Sequence, residues 1–172
     1  MHAPTEQAFI SAYDEYADAI FRHCFFRVSD RERAKELSQE VFVRAWEYLK
    51  KHNDEEVVNM QALLYHIARN LIIDEYRGRK KQSISLDVLN EEDGFDPPDD
   101  SHTEIIRASE MGEVKKAMEE LPDHFREVLL LRYVDDMGVK DIAELLEEKE
   151  NAISVRIHRG IAELRKILKT NE

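Results

Sequence analysis

The chain has 172 residues, of which 42% are hydrophobic and 36% are charged, with five glycines and four prolines. This composition predicts one ordinary domain or two small ones, built mostly of helices. The single cysteine excludes an intramolecular disulfide and a thiolate zinc cluster, and no apolar run approaches the roughly 18 residues that a membrane-spanning helix needs.

The formal net charge of −12 is concentrated in one segment. Residues 82–112 carry 1 Lys or Arg against 9 Asp or Glu, which is a net charge of −8. Residues 1–81 carry 13 against 14, and residues 113–172 carry 11 against 14. The two flanking segments are therefore nearly balanced, and each can hold a basic patch for a nucleic acid despite the acidic total.

Apolar residues recur at helical spacing in the first part of the chain and predict a helix over residues 5–28. Cys24 lies on this apolar stripe, which predicts a small buried thiol. His23 is expected on another face, so the two side chains do not form a pair of metal ligands.

A second helix is predicted from a capping-box pattern at residues 29–32, in which Ser29 is the N-cap. This helix is expected to end near Lys51. One of its sides carries Glu36, Gln39 and Glu40. By pattern alone, such a side is a solvated helix face.

Residues 51–59 are polar and predict a loop, and Asn59 can cap a third helix over residues 60–80. Four of the five residues 77–81 are cations, which suit the negative end of the helix dipole and also a phosphate backbone. A solubilising helix end is the alternative interpretation. Side chains that can stack on unpaired bases lie nearby, namely Tyr65, Arg69 and Tyr76.

Residues 82–103 contain one glycine, two prolines and almost no apolar periodicity, so they are predicted to link two helical units. Helix is expected again over residues 104–120. Pro122 and Asp123 then favour the start of a further helix, and residues 135–138 are predicted to form a turn.

The last part of the chain contains two amphipathic helices with a short polar break between them. Ile142, Ala143 and Leu146 form one face of the first helix. In the second, apolar residues recur every three or four positions from Ile153 to Leu168, with arginines among them. Two such helices, the second of them basic, indicate a helix-turn-helix, although an ordinary helical hairpin fits the pattern equally well.

Signals of several other protein classes do not occur in the sequence. The N-terminus has neither the basic start nor the apolar core of a secretory signal, so a cytoplasmic protein without membrane insertion is expected. No strand-length alternation, Gly-rich phosphate loop, Ser/His/Asp arrangement or metal-ligand spacing is found. The sequence therefore predicts no enzyme, no cofactor and no metal.

Four motifs, in this order along the chain, resemble the extracytoplasmic-function (ECF) group of bacterial sigma factors. Residues 36–46 (ELSQEVFVRAW) resemble the family's acid-x-x-Gln-x-x-Phe-x-x-Ala segment, and residues 62–77 resemble its Ile-Ala-x-Asn-x3-Asp-x2-Arg helix. Residues 121–133 resemble the start of region four, and residues 141–160 resemble its helix-turn-helix. The resemblance covers nearly the whole chain.

The resemblance implies an all-α fold of two small helical domains. Region two would span residues 1–81, and region four, with the helix-turn-helix, would span residues 113–172. A flexible acidic linker over residues 82–112 would join them and thread polymerase channels that normally hold nucleic acid. The implied partners are core RNA polymerase, promoter DNA and an anti-sigma factor.

The resemblance also assigns roles to individual residues. The residues that would face the polymerase clamp are Glu36, Gln39, Glu40 and Phe42. Those that would read and open the −10 element are Asn53, Asp54, Tyr65, Arg69, Asn70, Asp74, Arg77, Arg79 and Lys80. Those that would read the −35 element in the major groove are Lys149, Asn151, Ser154, Val155, Arg156 and Arg159, and the two arginines are the main candidates.

The chain departs from the family's pattern in the turn of the helix-turn-helix. Glu147 stands where a glycine is usual, Glu148 where an apolar residue is usual, and Lys149 where a serine is common. A positive φ at Glu147 would cost about 1 kcal/mol that glycine avoids. Since these carboxylates lie where a phosphate would approach the second helix, we expect −35 binding to be weak without tethering through polymerase.

Two other functions fit parts of the sequence. A stand-alone helix-turn-helix regulator would bind duplex DNA without polymerase, but it would need a dimerisation or ligand domain that the first unit does not resemble. A sigma-like adaptor used in partner switching would bind no DNA, and the acidic turn favours that reading. Specific initiation with core RNA polymerase separates a sigma factor from both.

Overall fold

The computed structural model describes residues 3–52, 59–83 and 112–170, and every regular element in these ranges is helical. The chain divides into two compact units, Met1–Leu89 and Asn90–Glu172. The helices of the first unit are α1 (Ala3–Val28), α2 (Arg31–Lys51) and α3 (Met60–Ser83). Those of the second unit are α4 (112–120), α5 (Asp123–Leu129), α6 (Val139–Leu146) and α7 (Glu150–Thr170).

The prediction of an all-α chain with two helical domains is confirmed. α3 continues to Ser83, so the first residues of the predicted linker are helical. Residues 84–111, which make up the rest of the linker and the predicted start of the next helix, lie outside the described residues.

The first unit is a three-helix bundle in which α1 contacts both α2 and α3. Ile20, Val41, Leu64 and Ile72 are fully buried between the helices. Cys24 is also fully buried, which confirms the predicted buried thiol. An apolar stripe on each helix thus supplies the core, and the polar sides are left for other contacts.

The start of α2 differs from the prediction, because the N-cap is Asp30 and not Ser29. Ser29 has a φ of 58° and its N–H donates to the Phe25 carbonyl at 2.9 Å, which ends α1. This left-handed residue reverses the chain direction. Asp30 is then extended, and its carboxylate accepts a hydrogen bond from the Arg33 N–H at 3.1 Å.

The cap of α3 agrees with the prediction. The side-chain oxygen of Asn59 accepts a hydrogen bond from the Ala62 N–H at 3.0 Å. α2 ends at Lys51, also as predicted, and His52 follows it as the C-cap.

The second unit contains a π-helix that sequence periodicity did not indicate. α5 continues directly into five π-helical residues, Leu130–Val134, and the Asp135 N–H donates to the Leu130 carbonyl at 2.9 Å. The wider turn keeps both Leu130 and Leu131 in the core. The predicted turn over residues 135–138 follows it.

α5 and α7 pack closely at a glycine. A Cβ built on Gly160 would lie 3.3 Å from two side-chain carbons of the buried Leu129. Ile153 and Ile157 are buried on the same side of α7. This close approach leaves the opposite side of α7 exposed.

The turn between α6 and α7 contains a left-handed residue, Glu147. Glu147 has a φ of 56° and a ψ of 44°. The Glu148 N–H donates to the Ala143 carbonyl at 2.9 Å, and the Glu147 N–H donates to the Glu144 carbonyl at 3.4 Å. These two bonds form a Schellman motif, in which glycine is the favoured left-handed residue.

Candidate nucleic-acid interface

Three exposed helix faces carry the residues that the sequence singled out. The first face lies on α2. Glu36 and Gln39 are exposed, and Glu40 is half-buried. Glu36 accepts a hydrogen bond from Arg33 at 2.7 Å, and Glu40 accepts one from Arg44 at 2.9 Å. Both carboxylates are thereby oriented while still accessible to a partner.

Phe42 does not belong to this exposed face. Its side chain is only 5% exposed, and its ring packs edge-on against Tyr13, with the ring centroids 4.9 Å apart. A direct contact between Phe42 and polymerase stays a prediction, which the covering of Phe42 by α1 does not favour. Val43, which is 51% exposed, lies one turn after Gln39 and Glu40 on the same side of α2, as helical spacing predicts.

The second face lies on α3, where Asn70, Asp74 and Arg77 are exposed. Spacings of four and three residues place them on one side of the helix. Arg69 is half-buried beside them. Amide, carboxylate and guanidinium groups on one face can hydrogen-bond base edges and a strand backbone.

Two aromatic side chains of α3 make contacts within the fold. Tyr65 is 2% exposed, and its ring lies edge-on to the buried His23, with the centroids 5.4 Å apart. Its contact with the −10 element stays a prediction, which this burial does not favour. The Tyr76 hydroxyl donates to the Arg27 carbonyl at 2.6 Å and accepts from the Arg27 Nε at 3.1 Å.

Arg79 is engaged within the fold, in contrast to the exposed Arg77. Its guanidinium donates to the Val28 carbonyl at 2.6 Å and lies 3.6 Å from the Glu75 carboxylate. It thus ties α3 to the end of α1. This internal role competes with the predicted contact to DNA.

Arg33 completes this network from α2. It donates to the Glu75 carboxylate at 2.6 Å. This hydrogen bond is the main reason that the pKa of Glu75 is lowered from its ordinary value, against an opposing effect of burial. The network holds α2 and α3 together next to the predicted DNA face.

Three predicted −10 residues cannot be placed. Asn53 and Asp54 lie outside the described residues. Lys80 belongs to α3, and its side chain lies outside the described part of the structure as well.

The third face lies on α7, opposite its buried side. The predicted −35 residues that are exposed here are Lys149, Asn151, Ser154, Val155 and Arg159. His158 is exposed on the same face, one helical turn after Ser154, and was not among the predicted residues. Val155 is 47% exposed, and its apolar side chain suits contact with a thymine methyl group.

Arg156 differs from the other predicted −35 residues. It is half-buried at the edge of the face and forms an ion pair with Glu148, across the turn. The exposed Glu147 and Glu150 lie on either side of Glu148 along the chain. The structure therefore neutralises one of the three carboxylates that precede or begin α7.

No group of three or more His, Cys, Asp or Glu side chains that could hold a metal ion occurs in the described ranges. Among the same residues, none of the helices is long and apolar enough to cross a membrane.

Comparisons with known proteins show the family of the chain. Two family models match the chain: sigma-70 region 2 over residues 12–82, and sigma-70 region 4 over residues 111–164. The ECF RNA polymerase sigma factor SigW of Bacillus subtilis (strain 168) is 30% identical over 176 residues, which cover 95% of this chain and 90% of SigW. The chain belongs to the ECF RNA polymerase sigma factors. The family resemblance read from the four motifs is thereby confirmed.

Solved structures show the same fold as this sigma factor. The sigma factor RpoE of Bartonella quintana, in complex with the anti-sigma factor NepR, has a TM-score of 0.77 at 22% identity and covers 96% of this chain and 99% of its own. CnrH, in complex with the cytosolic domain of CnrY, has a TM-score of 0.71 at 20% identity and covers 97% and 91%. This ECF sigma factor directs transcription initiation by core RNA polymerase at promoter DNA.

Proposed function

We propose that this sigma factor reads a bipartite promoter, with α7 at the −35 element and α3 at the −10 element, while α2 binds the polymerase clamp. It acts in the cytoplasm, where core polymerase and promoter DNA are found. It has no catalytic activity of its own. The exposed polar face of α7 within a helix-turn-helix carries this proposal.

The proposed −35 contacts follow from side-chain chemistry. Arg159 can donate two hydrogen bonds to guanine, Asn151 can pair with adenine, and Val155 can contact a thymine methyl group. All three are exposed on one side of α7. The helix can enter the major groove with this side toward the bases.

The proposed −10 contacts use the exposed residues of α3. Strand opening needs polar groups that bind an extruded base and cations that follow the strand backbone. Asn70 and Asp74 supply the first kind of group, and Arg77 supplies the second. Arg79 stabilises α3 through its hydrogen bond to the Val28 carbonyl.

The proposed polymerase contact uses the α2 face. Gln39 and Glu40 lie one turn before the exposed Val43 on α2, and Glu36 lies two turns before it, so this face combines polar groups with an apolar side chain. We also propose an anti-sigma partner. The support is that RpoE of Bartonella quintana, which has the same fold, was solved with the anti-sigma factor NepR.

Purified protein mixed with core RNA polymerase tests the function. The template is a pool of DNA duplexes with random −35 and −10 segments, from which transcripts are sequenced. Specific initiation from an enriched bipartite motif is expected. Specific duplex binding without polymerase and no initiation would indicate a stand-alone regulator, and neither activity would indicate an adaptor.

A further inference from the structure

The ion pair between Glu148 and Arg156 crosses the turn of the helix-turn-helix. Glu148 precedes the first residue of α7, and Arg156 lies two turns into that helix. Because helical side chains lean toward the N-terminus, Arg156 reaches back along α7. Its guanidinium is therefore held near the end of the helix that contacts base edges in helix-turn-helix proteins.

The pair leaves part of the guanidinium accessible. The side chains are 24% exposed for Arg156 and 34% exposed for Glu148. The contact joins Nη2 of Arg156 to Oε2 of Glu148, and within the described residues the guanidinium makes no other hydrogen bond. An arginine has five N–H donors, so one edge can still reach a base.

We propose that Glu148 is a specificity-determining residue for the −35 element, which it controls by holding Arg156 in position for guanine. This proposal rests on the proposed −35 role of α7. In the major groove, guanine presents two hydrogen-bond acceptors to the open edge of the guanidinium. Each of the other bases presents fewer acceptors or a donor. Glu148 also repels phosphates, so the pair disfavours a backbone contact that would be the same for every sequence.

Loss of the Glu148 carboxylate has two expected effects. Arg156 gains freedom to reach a phosphate, which raises affinity for all sequences. The penalty for a wrong base falls at the same time, because the guanidinium is no longer restricted to one base-pair position. Glu148 thus lowers affinity and raises selectivity.

The test compares Glu148→Gln with a matched control, Glu147→Gln. Both changes remove one negative charge from the same turn, and both residues are exposed. Of these two glutamates, only Glu148 forms an ion pair with Arg156. A general electrostatic effect therefore appears in both variants, and an effect of the pair appears only in Glu148→Gln.

Holoenzymes of the wild type and each variant are assembled with core RNA polymerase. Their affinities are measured on the promoter selected by the wild type and on its single-base −35 substitutions. At one guanine position, the discrimination of Glu148→Gln is expected to fall about fivefold or more. Glu147→Gln is expected to raise affinity for all the duplexes and to leave their ratios unchanged.

Arg156→Ala and the double variant complete the comparison. Arg156→Ala is expected to lose discrimination at the same guanine, and adding Glu148→Gln should then leave the ratios between bases unchanged. Equal base ratios for wild type, Glu148→Gln and Glu147→Gln would overturn the proposal but leave the −35 role of α7 intact. If the wild-type holoenzyme showed no −35 preference at all, that role would fail, and the proposal with it.

Discussion

The arginines of this sigma factor show that one residue type has opposite roles on the same helix. Arg77 of α3 is exposed, whereas Arg79 donates to the Val28 carbonyl. Arg33 of α2 reaches the same carboxylate, Glu75, from the other side. The charge of a residue indicates what it can bind, and its surroundings decide what it does bind.

Replacement of Arg77 is expected to weaken the promoter complex without weakening the fold. In Arg77→Ala, one backbone contact is lost, so the slope of log affinity against log salt should fall by about one for the holoenzyme. Arg79→Ala is the comparison, because it removes hydrogen bonds within the first unit. Urea unfolding followed by fluorescence of Trp46, the only tryptophan, should show a loss of stability for Arg79→Ala alone.

The Glu75 network makes the stability of the first unit dependent on pH. The pKa of Glu75 is lowered from its ordinary value of 4.5, first by the hydrogen bond from Arg33. A lowered carboxyl pKa contributes stability that is fully present above 4.5 and is lost as the pH falls through the folded-state pKa. The contribution is modest, because Arg33 is partly exposed to solvent.

Glu75→Gln should therefore lower the free energy of unfolding at pH 7 by about 1 kcal/mol. The difference from the wild type should shrink in acid, where the wild-type carboxylate is also protonated. Glu32→Gln is the control. Glu32 is exposed and, among the described residues, forms an ion pair only with Lys35, at 3.5 Å. The free energy of unfolding is measured at each pH from urea titrations followed by Trp46 fluorescence. The same pH dependence for Glu75→Gln and the wild type would contradict this explanation.

At the scale of elements, short connections set the geometry of the sigma factor. A left-handed Ser29 between α1 and α2 moves the N-cap to Asp30. A left-handed Glu147 between α6 and α7 closes a Schellman motif. In both places a residue other than glycine has a positive φ, so the surrounding packing must offset the strain.

Glu147→Gly is expected to stabilise the second unit by about 1 kcal/mol, since glycine adopts the left-handed conformation without strain. Amide hydrogen exchange in peptides from α6 and α7 measures this directly. Exchange through global opening of the unit should slow about fivefold. Glu147→Gln keeps the strain and removes the same charge, so exchange slowed equally in this variant would assign the effect to charge.

At the scale of the whole molecule, −35 recognition depends on the charge near α7 and on the binding of the chain to polymerase. The chain has a net charge of −12, and three glutamates precede or begin α7. Phosphate contacts dominate the affinity of most DNA-binding proteins, and the three glutamates reduce that contribution where α7 would meet the backbone. Polymerase can supply it, because binding to core places the second unit near DNA at high effective concentration.

The full chain without polymerase is therefore expected to bind a −35 duplex only weakly at physiological salt. Fluorescence anisotropy with a labelled duplex of the selected promoter measures this, with and without core RNA polymerase. A large gain on addition of core is expected, and a duplex with a scrambled −35 element controls for it. Nanomolar binding by the full chain alone would contradict the tethering account.

The sequence by itself predicted most of the helices, the cap at Asn59 and, through the order of its motifs, the helix-turn-helix and the ECF family. These features depend on local periodicity, on capping residues and on motif order, all of which are properties of short segments.

Only the tertiary structure decided that Tyr65 is covered by α1, that Arg79 serves the fold, and that Arg156 is paired with Glu148. Helical spacing predicts which side chains share a face. It does not predict which part of that face another helix covers, because those contacts join residues that are distant in sequence. It also does not predict which charges meet across a turn, because that depends on the backbone conformation of the turn.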